Sequence, residues 1–377
     1  MKLLEYDCSI QNIHLNQAAL CDSMKAALYA EDQKLFDLLE FDNDRIFLEP
    51  SLLCYFLSPV EKEKKITLQQ SLFGYISSSN RQSTLKLKSD LFGLTNIPNL
   101  GYLKTKPFEE RDWHFDEIIE VLVNNRFLND SSIRLCLHPT DQLAWVENIS
   151  FNEPTTQTLA SNITALNEAC RFIQDFIPAF WKLIEIVTRE FVVFNSPNHN
   201  SFAGISHHGT AYFNTEDKNQ TPVFFIDDIS HQCGHIIFNA LTLDYERYLR
   251  VKKDKALSEF IDDKKDPREV YGAFHGLFTY TCILYSLEKL LDSTWNEKYK
   301  GEAIGRLGFY MNKFRMDLIN MNNPKILTEE GMSFHKQFQE SYNYIFGRYR
   351  EQIISFDFSN QPYTFQYDLF KKANPIK

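Results

Sequence analysis

The segment Asp227-Asp-Ile-Ser-His-Gln-Cys-Gly-His-Ile-Ile-Phe-Asn-Ala-Leu241 constrains the fold more than any other stretch of the chain. It follows the apolar run Pro222-Val-Phe-Phe-Ile226, which reads as a strand, and Asp227 or Asp228 can cap a helix at this point. A helix running on from there sets His231 and His235 one turn apart on one face, with their imidazoles about 6 Å apart and within reach of one ion. With 10 His in 377 residues, chance supplies roughly 0.3 such pairs per chain. Spacing alone therefore leaves two partly buried helix histidines as an equal reading.

The rest of the chain reads as mainly helical. Apolar residues recur at helical spacing at Ala18, Leu20, Met24 and Leu28, and again at Leu35, Leu38 and Leu39. Residues 61–112 are broken by Gly, Ser, Asn and Pro, and a helix is expected from near Trp113. The turn-rich stretch Asn129–Thr158 is the candidate boundary between an N-terminal region, 1–150, and a metal-binding region, 151–377. Leu166, Ala169, Cys170, Ile173, Phe176, Ile177 and Phe180 mark further helix. Glu190–Phe194 reads as a strand, with Thr210–Phe213 and Pro222–Ile226 as its partners. Helix is expected from Ile226 to about Tyr349, then an irregular tail. The fold class is α+β and mainly α-helical: a small sheet precedes a long helix packed on a second one, and the fold is not a jelly roll.

Net charge is -10 and the isoelectric point about 5.5, so nucleic acid phosphates are repelled rather than neutralised. No run approaches the roughly 18 apolar residues of a membrane span, and the N-terminus lacks the apolar core of a signal peptide. Cys8, Cys21, Cys54, Cys136, Cys170, Cys233 and Cys282 contain no CxxC and read as reduced thiols. The expectation is a cytoplasmic protein with no nucleic-acid or membrane partner. Oligomeric state is not legible.

A second segment adds chemistry. Asp266-Pro-Arg-Glu269 looks like a helix start, with Asp266 as N-cap, Pro267 at the first turn and Glu269 completing a capping box. On such a helix Arg268, His275 and Thr279 share a face. Gly272 and Gly276, with Gly234 on the first helix, cost helix propensity and suggest close backbone approach, which brings His275 toward His231 and His235. The plainer readings are an ordinary helix histidine, a solvated Arg268, a packing Thr279 and glycines that serve packing alone.

These residues resemble the HExxH-motif peptide-modification proteins that act on ribosomally made peptides, some of which are iron- and 2-oxoglutarate-dependent peptide β-hydroxylases. The likeness runs from about Asn195 to Leu290. It rests on the loop with Ser201 to Gly204, on His231-Gln-Cys-Gly-His235, and on Asp266-Pro-Arg-Glu-Val-Tyr-Gly-Ala-Phe-His-Gly276. The resemblance implies that His231, His235 and His275 ligate Fe(II), that oxygen is the oxidant, and that Arg268 holds the distal carboxylate of 2-oxoglutarate. Thr279, on the same helix face, is a further cofactor-binding candidate. It implies a precursor peptide as substrate. Residues 1–150 fall outside it and are a candidate for peptide recognition.

The sequence departs from that pattern at Gln232, where the family has glutamate. Zinc proteases use that glutamate as the base that activates water, and an amide cannot take a proton at neutral pH. An oxygenase needs no such base. Three other readings compete. A zinc hydrolase would use Asp244 or Glu246 as third ligand. A noncatalytic peptide-binding module would keep the fold without turnover. A jelly-roll oxygenase would use His114-x-Asp116. His199, His207 and His208 lie in a polar loop and are expected at the surface.

Overall fold

The structure is a computed structural model that describes residues 7–59, 66–138, 151, 153–216, 218–295 and 297–375. Packing divides the chain into two compact units: Met1–Gln11, Glu168–Leu183 and Thr221–Lys377 in one, Asn12–Asn167 and Ile184–Gln220 in the other. The break expected at about residue 150 falls inside the second of these. The helices of seven residues or more among the described residues are α1 (Asp7–Glu31), α2 (Pro50–Leu57), α3 (Phe115–Val121), α4 (Thr155–Phe176), α5 (Pro178–Val187), α6 (Pro222–Leu241), α7 (Val270–Asp292), α8 (Lys300–Met321), α9 (Glu329–Ile353) and α10 (Tyr367–Ala373). With nine short strands among the described residues, the fold is mainly helical α+β, as the periodicity indicates, and not a jelly roll.

The strands lie in the unit Asn12–Asn167 and Ile184–Gln220. Antiparallel β1 (Thr84–Lys88) and β4 (Glu110–His114) form one pair. β2 (Leu94–Ile97), β3 (Gly101–Lys104) and β5 (Val123–Asn124) form a second sheet. β6 (Arg126–Phe127), β7 (Arg134–Leu135), β8 (Glu190–Phe194) and β9 (Thr210–Asn214) form the third, with β7, β8 and β9 parallel. β8 and β9 are buried along their whole length, the expected state of apolar parallel strands. The helix expected from Trp113 is instead a strand followed by seven helical residues. Trp113 pairs with Leu85, and both pack with Phe73, Leu87, Ile97, Leu103 and Ile118, which outweighs local helix preference.

In the helical unit α7 packs against α6, α8 and α9. The expected strand Pro222–Ile226 is the first turn and a half of α6. Thr221 caps it, its hydroxyl accepting from Phe224 N at 3.1 Å, and Pro222 fills a first-turn position where no N–H is needed. The apolar run is buried by helix packing, a state that periodicity cannot separate from a buried strand. The expected continuous helix is interrupted between Leu241 and Val270, and the tail contains α10, whose Phe370 packs with Phe309 and Phe365. Cys21, Cys54, Cys136, Cys170, Cys233 and Cys282 are buried and not disulfide-linked. No helix of the described residues is long and apolar enough to cross a membrane.

Candidate metal centre

α6 supplies His231 and His235. Asp227 and Asp228, expected to cap this helix, lie inside it instead. Asp227 is buried and accepts from Arg306 Nη1 at 2.8 Å, and Arg306 also donates to Glu302 from Nε and Nη2 at 2.9 and 2.8 Å. Burial raises the Asp227 carboxyl and Arg306 opposes it. Gln232 is buried, and its amide donates to Asp228 Oδ1 at 3.0 Å. The position that carries a base in zinc proteases is thus occupied by a hydrogen-bonded amide.

α7 begins later than the sequence suggests. Its N-cap is Glu269, whose side chain makes no capping bond, so Asp266 is not a cap and there is no capping box. Asp266 instead accepts from Arg268 N at 2.9 Å and from the Arg268 guanidinium, Nε to Oδ1 at 3.0 Å and Nη2 to Oδ2 at 2.7 Å. The same guanidinium donates to both oxygens of Asp317 on α8, at 2.7 and 2.8 Å. Arg268 therefore lies outside the helix, not two turns before His275 on its face. Two carboxylates surround one guanidinium, which holds Asp266 below its usual range.

His275 is 5% exposed, whereas His231 and His235 are partly exposed. The ring contacts run from His231 to His235, 5.1 Å between centroids, and from His235 to His275, 5.5 Å and nearly parallel. His235 Nδ1 and His275 Nδ1 are 3.3 Å apart. Two nitrogens each ~2.1 Å from one ion would subtend about 104° at that separation, an ordinary ligand angle. His275 Nε2 is buried with no hydrogen-bond partner, an orphan that costs about 1–3 kcal/mol. Burial lowers all three imidazoles: His235 to about 4, and His231 and His275 well below the ordinary value, His235 adding to both and Lys313 to His231. Neutral imidazole is the ligating form. Among the described residues no three His, Cys, Asp or Glu side chains converge on one point. The existing geometry is an imidazole pair, His235 and His275, with the His231 ring tilted 31° to that of His235. Two neutral imidazoles at that spacing suit one metal ion, and His231 is the remaining imidazole in ring contact with them.

Two helices approach closely at Gly234, where an added Cβ would meet Thr279 Cγ2 at 3.3 Å. Thr279 is a buried packing residue whose hydroxyl donates to Gly276 O. Gly276 faces Asp317 Oδ2, 3.3 Å from its built Cβ, and Gly272 has open space, so only Gly234 serves the expected α6–α7 approach. Gly234→Leu is expected to destabilise by about 1–3 kcal/mol, with Gly234→Ala close to neutral, in denaturant unfolding. Equal stability of the Leu variant would remove the close-approach account.

Sequence reasoning missed Tyr271, Phe238, Asp317 and Lys313. Tyr271 and Phe238 pack edge-on against His275. Arg306, Tyr310, Lys313 and Asp317 recur at helical spacing along α8, a polar stripe that could have been read as such. Lys313 is pulled down to about 8 by burial, with Asp227 and Asp317 opposing. Its Nζ donates to Tyr363 O and lies over the rings of Phe309 and Tyr363. Asp244 and Glu246 are exposed beyond the end of α6, and His114 ends β4. His199 is partly exposed, but His207 and His208 are buried, contrary to expectation, and His208 Nε2 contacts Gln17 Oε1 at 2.9 Å. Their burial follows the turn at Gly209, φ 95°, which leads directly into the buried strand β9.

No family model matches this chain, and no curated protein matches it.

Proposed function

We propose that this chain is a non-haem iron oxygenase that uses 2-oxoglutarate to hydroxylate a side chain of a ribosomally made peptide, with His231, His235 and His275 as the metal ligands. The observation that carries the reading is the 3.3 Å contact between the His235 and His275 imidazoles, drawn from two helices and flanked by His231. Imidazole suits iron, and iron with a cosubstrate supplies the oxidant when bound. The chain's own residues keep His275 dry through Phe238 and Tyr271, and keep the imidazoles neutral through burial. Gln232, bonded to Asp228, offers no base, which weighs against the zinc hydrolase.

The anchor for the cosubstrate shifts. Asp266 and Asp317 already occupy most of the Arg268 fork, and the three groups sum to a single negative charge, which repels a dicarboxylate. Lys313 is the cation whose field reaches His231 and whose ammonium bonds only a carbonyl and ring faces among the described residues. Arg268 is a positioning residue that ties the entry of α7 to α8.

Calorimetry of the iron-loaded, oxygen-free protein tests this. Lys313→Met should weaken 2-oxoglutarate binding about 10- to 100-fold, the loss of one charge-assisted hydrogen bond, while Arg268→Ala leaves it within about twofold. The reverse order restores Arg268 as the anchor. Absence of any 2-oxoglutarate binding, together with peptide cleavage by Gln232→Glu, would replace the oxygenase by a hydrolase.

A further inference from the structure

One small cavity in the unit Asn12–Asn167 and Ile184–Gln220 is walled by oxygen. Its volume is about 10 Å³, close to that of one water-sized sphere. Five side-chain oxygens of residues lining it have no hydrogen-bond partner: Ser51 Oγ, Asn96 Oδ1, Glu190 Oε1, Thr210 Oγ1 and Tyr212 Oη. All five side chains belong to residues no more than 7% exposed. They come from separate elements: α2, β2, the first residue of β8, and alternate residues of β9. Thr210 interacts with Tyr212, and Cys136 with Glu190, yet none of the five oxygens has a partner at hydrogen-bond distance. Buried polar atoms are ordinarily paired, so the set points to a missing ligand rather than to independent defects.

The charges narrow its identity. Glu49 and Glu190 both line the cavity, and Arg134 serves both. Arg134 Nη2 donates to Glu49 Oε1 at 2.8 Å, and the Tyr75 hydroxyl donates to Glu49 Oε2 at 2.5 Å. Glu190 Oε1 is 3.8 Å from Arg134 Nε, too far for a hydrogen bond. Arg189, partly exposed, attracts Glu49 more weakly and is repelled by Arg134 and Arg45. Arg134 thus faces two buried carboxylates, with Arg189 also drawn to Glu49. Burial raises the Glu190 carboxyl and Arg134 opposes it, and Glu190 lines the cavity. A water molecule would answer the hydroxyls but would leave the Glu190 carboxylate without a cationic partner at hydrogen-bond distance.

We propose that this cavity binds one monovalent cation of potassium or ammonium size, held by Glu190, Asn96, Ser51, Thr210 and Tyr212. An oxygen-only donor set of one carboxylate, one amide oxygen and three hydroxyls suits a hard ion, and a single carboxylate among otherwise neutral donors suits one of low charge. The ion would fasten the start of α2 and strand β2 to the parallel pair β8–β9. This inference is independent of the histidine centre.

The test is thermal unfolding of the full chain in potassium, ammonium, calcium or choline chloride at matched ionic strength, with crystals soaked in rubidium. Expected is a Tm that climbs about 3 °C for each tenfold rise in potassium or ammonium above its dissociation constant, with no climb in choline, and a rubidium anomalous peak in the cavity. Whichever of the two ions shifts Tm further is the one the site prefers. Glu190→Gln should abolish the climb. Ser51→Ala, a milder change that keeps the charge balance, should reduce it while the fold is retained by circular dichroism. Equal Tm in potassium, ammonium and choline, or a rubidium soak with no peak among these oxygens, would overturn the proposal. So would a larger shift with calcium than with either monovalent ion.

Discussion

Iron titrated anaerobically into the protein is expected to bind at one equivalent per chain, and to bind more than about 100-fold more weakly when His235 or His275 is replaced by alanine. Loss of an outer-sphere partner already costs 10- to 100-fold, and these two imidazoles form the contact on which the site rests. His231→Ala should follow the same course, because His231 is the remaining imidazole within ring contact. His275 is packed between Phe238 and Tyr271, so its removal also opens a cavity. His275→Gln, closer in volume, separates the two effects: it should keep Tm near wild type yet lose metal. Full occupancy in a folded His275 variant would show that the third ligand is wrong. Full occupancy in both His235 and His275 variants would remove the metal centre altogether.

The largest loss of stability is expected from Arg306. Its side chain is 6% exposed and bridges Asp227 on α6 to Glu302 on its own helix. Arg306→Ala leaves two buried carboxylates without their counter-ion, which costs about 3–5 kcal/mol. At 2–4 °C per kcal/mol for a unit of this size, thermal unfolding should fall by roughly 10 °C. Glu302 also accepts from the Thr221 hydroxyl, so the cap of α6 loosens with it. The double variant Arg306→Met with Asp227→Asn removes both charges of the α6 contact and should recover part of the loss. A double variant less stable than Arg306→Ala would mean that packing, not the stranded charge, dominates. The network lies on the Asp227–His231–His235 side of α6, so the loss should also reach metal affinity.

Sequence alone determined what depends on local period and residue type. Helical spacing located α6 and α7 and the shared face of His231 and His235, and the mainly helical class followed from the same pattern. The apolar runs Glu190–Phe194 and Thr210–Phe213 could be read as strands because the β-branched and aromatic content is strand-like. The amide at Gln232 is a fact of the sequence, and an amide there is no base.

Tertiary structure decided everything that depends on which buried group meets which. Pro222–Ile226 is equally apolar as strand or helix, and Thr221 with Pro222 tips it to helix. Arg268 can anchor an anion only if its fork is open. Asp266 is adjacent in sequence, but Asp317 arrives from a helix 49 residues away. His207 and His208 look like loop residues until the turn at Gly209 carries them inside. The five oxygens around the cavity come from positions 51 to 212, and no local pattern marks them. Period and propensity act over one or two turns of chain. Charge compensation and hydrogen-bond satisfaction act across whatever distance in sequence the fold happens to close, and so they become visible only once it is closed.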